Sequence, residues 1–229
     1  MNSIKPTQIV DLTQAGRLHP QKISTALPKG EKLRLTEAIV SMDPLNRPLT
    51  EGYKTDIYHD KETGESIPAL DIATHSDKLI DVFLDLVDLM YGKLGLILET
   101  SHNYPDGNGK HDDLFRADVE PWYIKHIVCQ HSDLFLNDGC TGIAIMNFEL
   151  PEEIQFDEHN CLFVYTRRIE EFKRVLEDHG INYDKELHLI SDGEHKHVLS
   201  EEYSEQFQEL ACEAGVSEDP GEDEELFDS

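Results

Sequence analysis

The clearest pattern in the chain is HSDKLIDVFLDLVDLMY at 75–91. Leu79, Val82, Phe83, Leu86, Leu89 and Met90 recur there at the three- and four-residue spacing of one helical face. Asp77, Asp81, Asp85 and Asp88 fall on the other side. Thr74 is placed to cap the first turn and Gly92 to stop the last. Before this helix, 54–60 and 66–74 alternate like strands around the turn residues Glu62-Thr63-Gly64. After it, LGLILET at 94–100 is a near-continuous apolar run, as in a buried strand. The unit 66–100 therefore predicts strand, helix, strand, with a right-handed parallel crossover as the favoured arrangement.

A second unit follows. Residues 120–136 predict a helix with Pro121 in its first turn, ended by Asn137-Asp138-Gly139. Residues 141–148 read as a strand, and 154–156 and 161–166 as a hairpin around the turn 157–160. An amphipathic helix at 168–179 is capped by Gly180. ELHLI at 186–190 reads as a last strand, and 201–214 as a final helix with Ser200 as its N-cap. The sum is an α/β or α+β domain: a mixed, mostly buried sheet with about four helices packed on it.

Charge divides the chain further. Of the formal −27, residues 1–30 carry +3 (four basic, one acidic) and residues 216–229 carry −7, which leaves −23 for 31–215. The three stretches predict a polar N-terminal arm, one domain and an acidic disordered tail. The domain could also be two joined halves, 31–118 and 119–215. So strong an acidic excess disfavours a broad nucleic-acid or anionic-membrane surface, because phosphates would be repelled. No apolar run approaches the ~20 residues of a membrane span, and the first residues lack the apolar block of a signal peptide. Cysteines at 129, 140, 161 and 212 form no Cys-x-x-Cys or close pair, which argues against a disulfide framework. A reducing, cytoplasmic setting is the expectation.

Four places could carry chemistry. Of the twelve histidines, His102, His111 with Asp112, His159 beside Asp157 and Glu158, and the pair His195 and His197 are the candidate metal ligands. A His-x-His on a strand points both imidazoles to one face, a geometry that suits zinc or iron, and a carboxylate could complete the set. Cys140, between glycines at a strand entrance, is a candidate nucleophile if folding brings a histidine close and lowers its pKa, and His159 is a candidate catalytic residue beside it. The loop at 101–113 is the strongest candidate binding segment, although its 105–110 stretch lacks the spacing of a phosphate loop. Glu99 with Asp112 or Asp113 could do acid/base work.

Two functions compete on this record. The sequence favours a non-enzymatic interaction or regulatory module whose acidic surface engages a basic protein, with no cofactor. The alternative is an enzyme that uses a divalent metal (Zn or Fe) held by loop residues around 102–113, 157–159 and 194–197.

Overall fold

The computed structural model describes residues 32–45, 47–59, 64–104 and 110–218. The expected N-terminal arm, the tip of the 101–113 loop and the tail beyond Glu218 lie outside the described residues. Seven strands form the main sheet: β2 (Gly52–His59), β3 (Ser66–Ala73), β4 (Leu94–Thr100), β5 (Asp112–Val119), β6 (Thr141–Asn147), β7 (Glu152–Phe156) and β8 (Leu162–Tyr165). Their order is β2-β3-β8-β7-β6-β4-β5. A small second sheet pairs β1 (Ile39–Ser41) with β9 (His195–His197). Five helices complete the fold: α1 (Leu79–Val87), α2 (Pro121–Gln130), α3 (Ser132–Asn137), α4 (Ile169–Asp178) and α5 (Glu201–Ala214).

The α/β class is as the hydrophobic pattern implied, but the pairing across 66–100 is not. β3 and β4 run in the same direction, yet β8, β7 and β6 lie between them, so every adjacent pair is antiparallel. One residue in two along each strand faces the helices. Leu70, Val164, Ile154, Ile145 and Leu96 form one row across the sheet, and Ile72, Leu162, Phe156, Ile143 and Leu98 form the next. All ten are buried, and Leu79, Val82, Phe83 and Leu86 of α1 share a core cluster with them. Each such side chain contributes about 1.5–3 kcal/mol when fully buried. The opposite face of the sheet carries Asp71, Phe163, Gln155 and Glu153 and is half-buried.

Several boundaries moved. Thr74 does not cap α1: its hydroxyl donates to Glu51 at 2.7 Å, and α1 starts after Lys78 without a side-chain cap. His131 interrupts the expected 120–136 helix, splitting it into α2 and α3. The expected strand at 186–190 does not form, because these residues join no strand ladder among the described residues; Leu187, Leu189 and Ile190 are instead buried in a second core cluster. β5 fills the end of what looked like a long loop. Past α5 the chain reaches Ser217, which bridges Phe115 of β5 in both directions at 2.8 and 3.0 Å. Ser200 does cap α5, accepting from the Tyr203 amide at 3.1 Å.

The aspartate face of α1 is largely spent inside the molecule. Asp77 pairs with Arg34, Asp85 with His179 and Asp88 with Lys125. At the far end of the sheet, Glu152, 5% exposed, accepts from Arg168 Nε at 2.6 Å and Nη2 at 2.8 Å and from Thr166 at 2.7 Å. Arg168 also donates to Leu89 O at 3.0 Å, which ties the end of the α1 segment to α4. Among the described residues, no helix is long and apolar enough to cross a membrane.

The small sheet docks onto the main one through Gly139. Its amide donates to Val198 O at 2.8 Å, and the Val198 amide donates to Ala38 O at 2.8 Å. A Cβ at 139 would lie 2.4 Å from Ala38 O and 2.9 Å from both Val198 N and Val198 O. These neighbours are backbone and cannot rotate aside. Gly139→Ala should therefore cost about 2–3 kcal/mol, at the upper end of typical overpacking losses. A lowered urea midpoint at unchanged m-value is the expected reading; an unchanged midpoint would show that the two sheets do not meet this closely.

Candidate metal centre

Five segments end at the same edge of the fold. They are the end of β4 with Ser101 and His102, the start of β5 with His111 and Asp113, the entrance to β6 at 138–142, the β7–β8 turn at 157–160, and β9. β9 pairs with β1 in the register Ile39↔His197 and Ser41↔His195. Strand alternation then sends His195 and His197 to one side and Lys196 to the other. Ile39 belongs to the second core cluster with Ala73, Cys161, Leu187, Leu189 and Ile190, so its burial holds β1, and with it β9, against the residues that follow the 157–160 turn.

That turn presents His159. Asp157 Oδ1 accepts from the amides of His159 (3.1 Å) and Cys161 (2.8 Å), while Asp157 Oδ2 accepts from His159 Nδ1 at 2.8 Å. Asn160 takes φ 56°, a left-handed conformation that asparagine tolerates, and its side-chain amide donates to Phe135 O at 3.0 Å. The three rings of His159, His195 and His197 then meet, with centroids 4.8, 4.8 and 5.1 Å apart. One ligand nitrogen from each lies within 4.8 Å of the others.

The second nitrogens decide what this cluster can do. His195 Nδ1 bonds to Gly193 O at 2.8 Å and His197 Nδ1 to Gly139 O at 2.5 Å. A carbonyl can only accept, so in both rings Nδ1 carries the proton and Nε2 keeps the lone pair. His159 Nδ1 is likewise engaged by Asp157. Three neighbouring imidazoles, each with Nδ1 held by a carboxylate or backbone carbonyl and Nε2 left over, match the ligand supports found around zinc-type ions. In a tetrahedral site with bonds of 2.0–2.1 Å the nitrogens would sit roughly 3.4 Å apart, so the three rings would have to close in from a spacing of up to 4.8 Å. Burial pushes His159 down, but its bond to Asp157 and the charges of Asp157 and Glu158 outweigh this and hold it above the ordinary range. Burial is also the main cause of a lowered His197, to which the neighbouring histidines add.

Two more groups flank the cluster. His102, Asp138 and Cys140 place one ligand atom each within 4.8 Å, as do Glu99, His111 and Asp113. Of the sequence candidates, only Asp112 joins none of these groups: successive residues of β5 face opposite ways, and its carboxylate is taken by Asn103 (2.7 Å) and Tyr104 (2.8 Å). Folding does bring a histidine to Cys140. Burial, together with the charges of Asp138 and Glu158, nevertheless pushes the Cys140 thiol up, the direction opposite to what a free nucleophile needs. Sequence reasoning read Asp138 and Gly139 only as helix-stopping residues. Nothing in the local pattern marked the Asp138 carboxylate as a partner of His102 or the Gly139 carbonyl as the support of His197.

Glu99 projects over Gly142, where a Cβ would lie 2.9 Å from its Oε2; the absent side chain makes room for the carboxyl. Burial, then the charge of Asp113, push Glu99 up to about 7; Glu158 and Asp157 add to this and His111 opposes it. A groove of 390 Å³ lined by Tyr58, Met146, Glu153 and Tyr165 lies at the opposite end of the sheet, away from all of these groups.

The raised Glu99 has a measurable consequence. Its folded pKa exceeds its ordinary value, so between about pH 4.5 and 7 the folded state holds more protons than the unfolded chain. Stability should therefore fall as pH rises through that window, by up to about 3 kcal/mol from this group. Comparing urea unfolding of the chelator-treated protein with its Glu99→Gln variant from pH 4.5 to 7.5 checks this: the variant should lose most of that slope, and an identical slope would refute the placement. No protein-family model, curated protein or solved structure matches this chain.

Proposed function

We propose that this protein is a metal-dependent enzyme whose divalent ion, of the zinc or iron type, is held by His159, His195 and His197. The observation that carries the reading is the nitrogen pattern: three neighbouring imidazoles whose Nδ1 atoms all have acceptors, which leaves each Nε2 for an ion. Three protein ligands leave a tetrahedral ion one position for water or substrate, and such an ion supplies a hydroxide-like nucleophile near neutral pH. That chemistry points to hydrolysis.

The chain's own residues set the rest. Asp157 fixes the ring of His159, and the Gly193 and Gly139 carbonyls fix the other two. Glu99, poised near neutrality beside the acidic 157–158 turn, is the carboxyl suited to take up or return a proton at the site. Asp113, Asp157 and Glu158 surround the centre with negative charge, so a neutral or cationic substrate is favoured over a polyanion. The rival reading, an acidic module for a basic partner, would draw on unspent carboxylates, and three of the four aspartates of the α1 segment are already paired within the molecule.

The test is zinc titration of the chelator-stripped protein by calorimetry. His195→Ala and His197→Ala should each abolish one equivalent of binding or weaken it by about 100-fold or more, and Asp157→Asn should weaken it by about 10–100-fold. Hydrolysis of an uncharged activated ester should be restored by zinc in the wild type and not in His197→Ala. Zinc affinity indifferent to all three substitutions would overturn the site, and zinc binding without any metal-dependent turnover would overturn the enzymatic reading.

A further inference from the structure

The three-histidine cluster leaves unexplained a group on the other side of Gly139. His102 Nε2 lies 2.9 Å from Asp138 Oδ2, and Thr141 Oγ1 donates to the same oxygen at 2.6 Å. Asp138 is 0% exposed, and its other oxygen, Oδ1, is buried with no hydrogen-bond partner among the described residues. No other described side chain leaves a buried nitrogen or oxygen in that state. An orphaned carboxylate oxygen in the interior is costly, so it calls for an explanation. Cys140 stands two residues away, 6% exposed, and its sulfur falls within 4.8 Å of the ligand atoms of Asp138 and His102.

We propose that His102, Asp138 and Cys140 form a second metal site, for a zinc-type ion, separate from the three-histidine centre. The donor set is a thiol, an imidazole and a carboxylate, the three ligand types that zinc accepts most readily. A cation would satisfy Asp138 Oδ1 and supply the positive charge missing beside the carboxylate. It would also displace the Cys140 proton to solvent, so that sulfur binds as thiolate despite the burial that otherwise keeps the thiol protonated. The 2.9 Å between His102 Nε2 and Asp138 Oδ2 is a hydrogen-bond distance; an ion bound through Oδ1 would displace the proton held there to solvent, take the imidazole nitrogen and leave Oδ2 to Thr141. The two sites are mechanically joined: Gly139, whose carbonyl orients His197, sits between Asp138 and Cys140 in the chain.

This site does not rest on the three-histidine reading, and sulfur separates the two experimentally. Cobalt(II) added to the full-length, chelator-stripped protein should give a near-ultraviolet thiolate-to-cobalt band, since the three-histidine centre contains no sulfur. The band should vanish in Cys140→Ser, persist in a His195→Ala/His197→Ala variant, and require about tenfold or more cobalt in Asp138→Asn. Equilibrium dialysis should fall from two cobalt ions per wild-type chain to one in Cys140→Ser. A folded wild type that binds cobalt without a sulfur band would overturn this site and leave the histidine centre standing. So would a band that survives Cys140→Ser, which would place the metal on another cysteine. A single ion with a sulfur band, unaffected by the histidine substitutions, would support this site and remove the other.

Discussion

The close approach of Gly139 to the backbone at Ala38 and Val198 is the constraint on which the whole candidate centre depends. One hydrogen pointing where any other residue carries carbon lets two separate sheets share a junction. Without that contact, β9 would have no fixed relation to the main sheet. His195 and His197 would then form an isolated pair on a two-stranded ribbon, an element that is marginal alone in water. The same residue contributes its amide to Val198 and its carbonyl to His197, so one glycine both docks the ribbon and orients a ring. Burial of Ile39, next to Ala38, among Cys161, Leu189 and Ile190 secures the same end of the ribbon.

The charge of the chain acquires a more specific meaning in this setting. Acidic side chains in α1 are matched against Arg34, His179 and Lys125, and Glu152 is matched against Arg168, so part of the excess is consumed in holding helices to the sheet. Where the strands end, the balance is different. Glu99, Asp113, Asp138, Asp157 and Glu158 gather with six histidine or cysteine side chains and few formal cations. Burial there pushes Glu99 and Asp157 up, because a poorly solvated region disfavours ionisation, and repulsion from Asp113 and Glu158 adds to it. A bound cation would relieve that repulsion, which is the electrostatic counterpart of the geometric case made by the imidazoles.

Much of the fold was legible because helix and strand periodicities are local. The apolar face of α1, the capping serine of α5, Pro121 at the start of α2 and the 157–160 turn all depend on residues within a few positions of one another. The pairing of β1 with β9 depends on residues 156 apart in the chain, as the Val40–Lys196 register shows, and three-residue strands carry no readable alternation. β5 escaped notice because DDLFRADV alternates weakly: its register against β4 shifts between Leu94 and Leu96, and Asp118 takes φ 58°. ELHLI looked like a strand because core burial and strand burial select the same residues, and only the absence of a pairing partner separates them.

For the site, the sequence by itself determined the ligand types and one fragment of geometry. His-x-His on an extended segment must place both rings on one face, since side chains alternate at every residue of a strand. It also marked His102, His111 and His159 as companions without placing them. Tertiary structure alone decided that His159 completes the pair, that His102 turns instead to Asp138 and Cys140, and that Asp112 faces away into bonds with Asn103 and Tyr104. The physical reason is that coordination depends on distances of a few ångströms between segments far apart in the chain. Those distances follow from strand order, from the burial of residues such as Ile39, and from a glycine that lets two backbones touch.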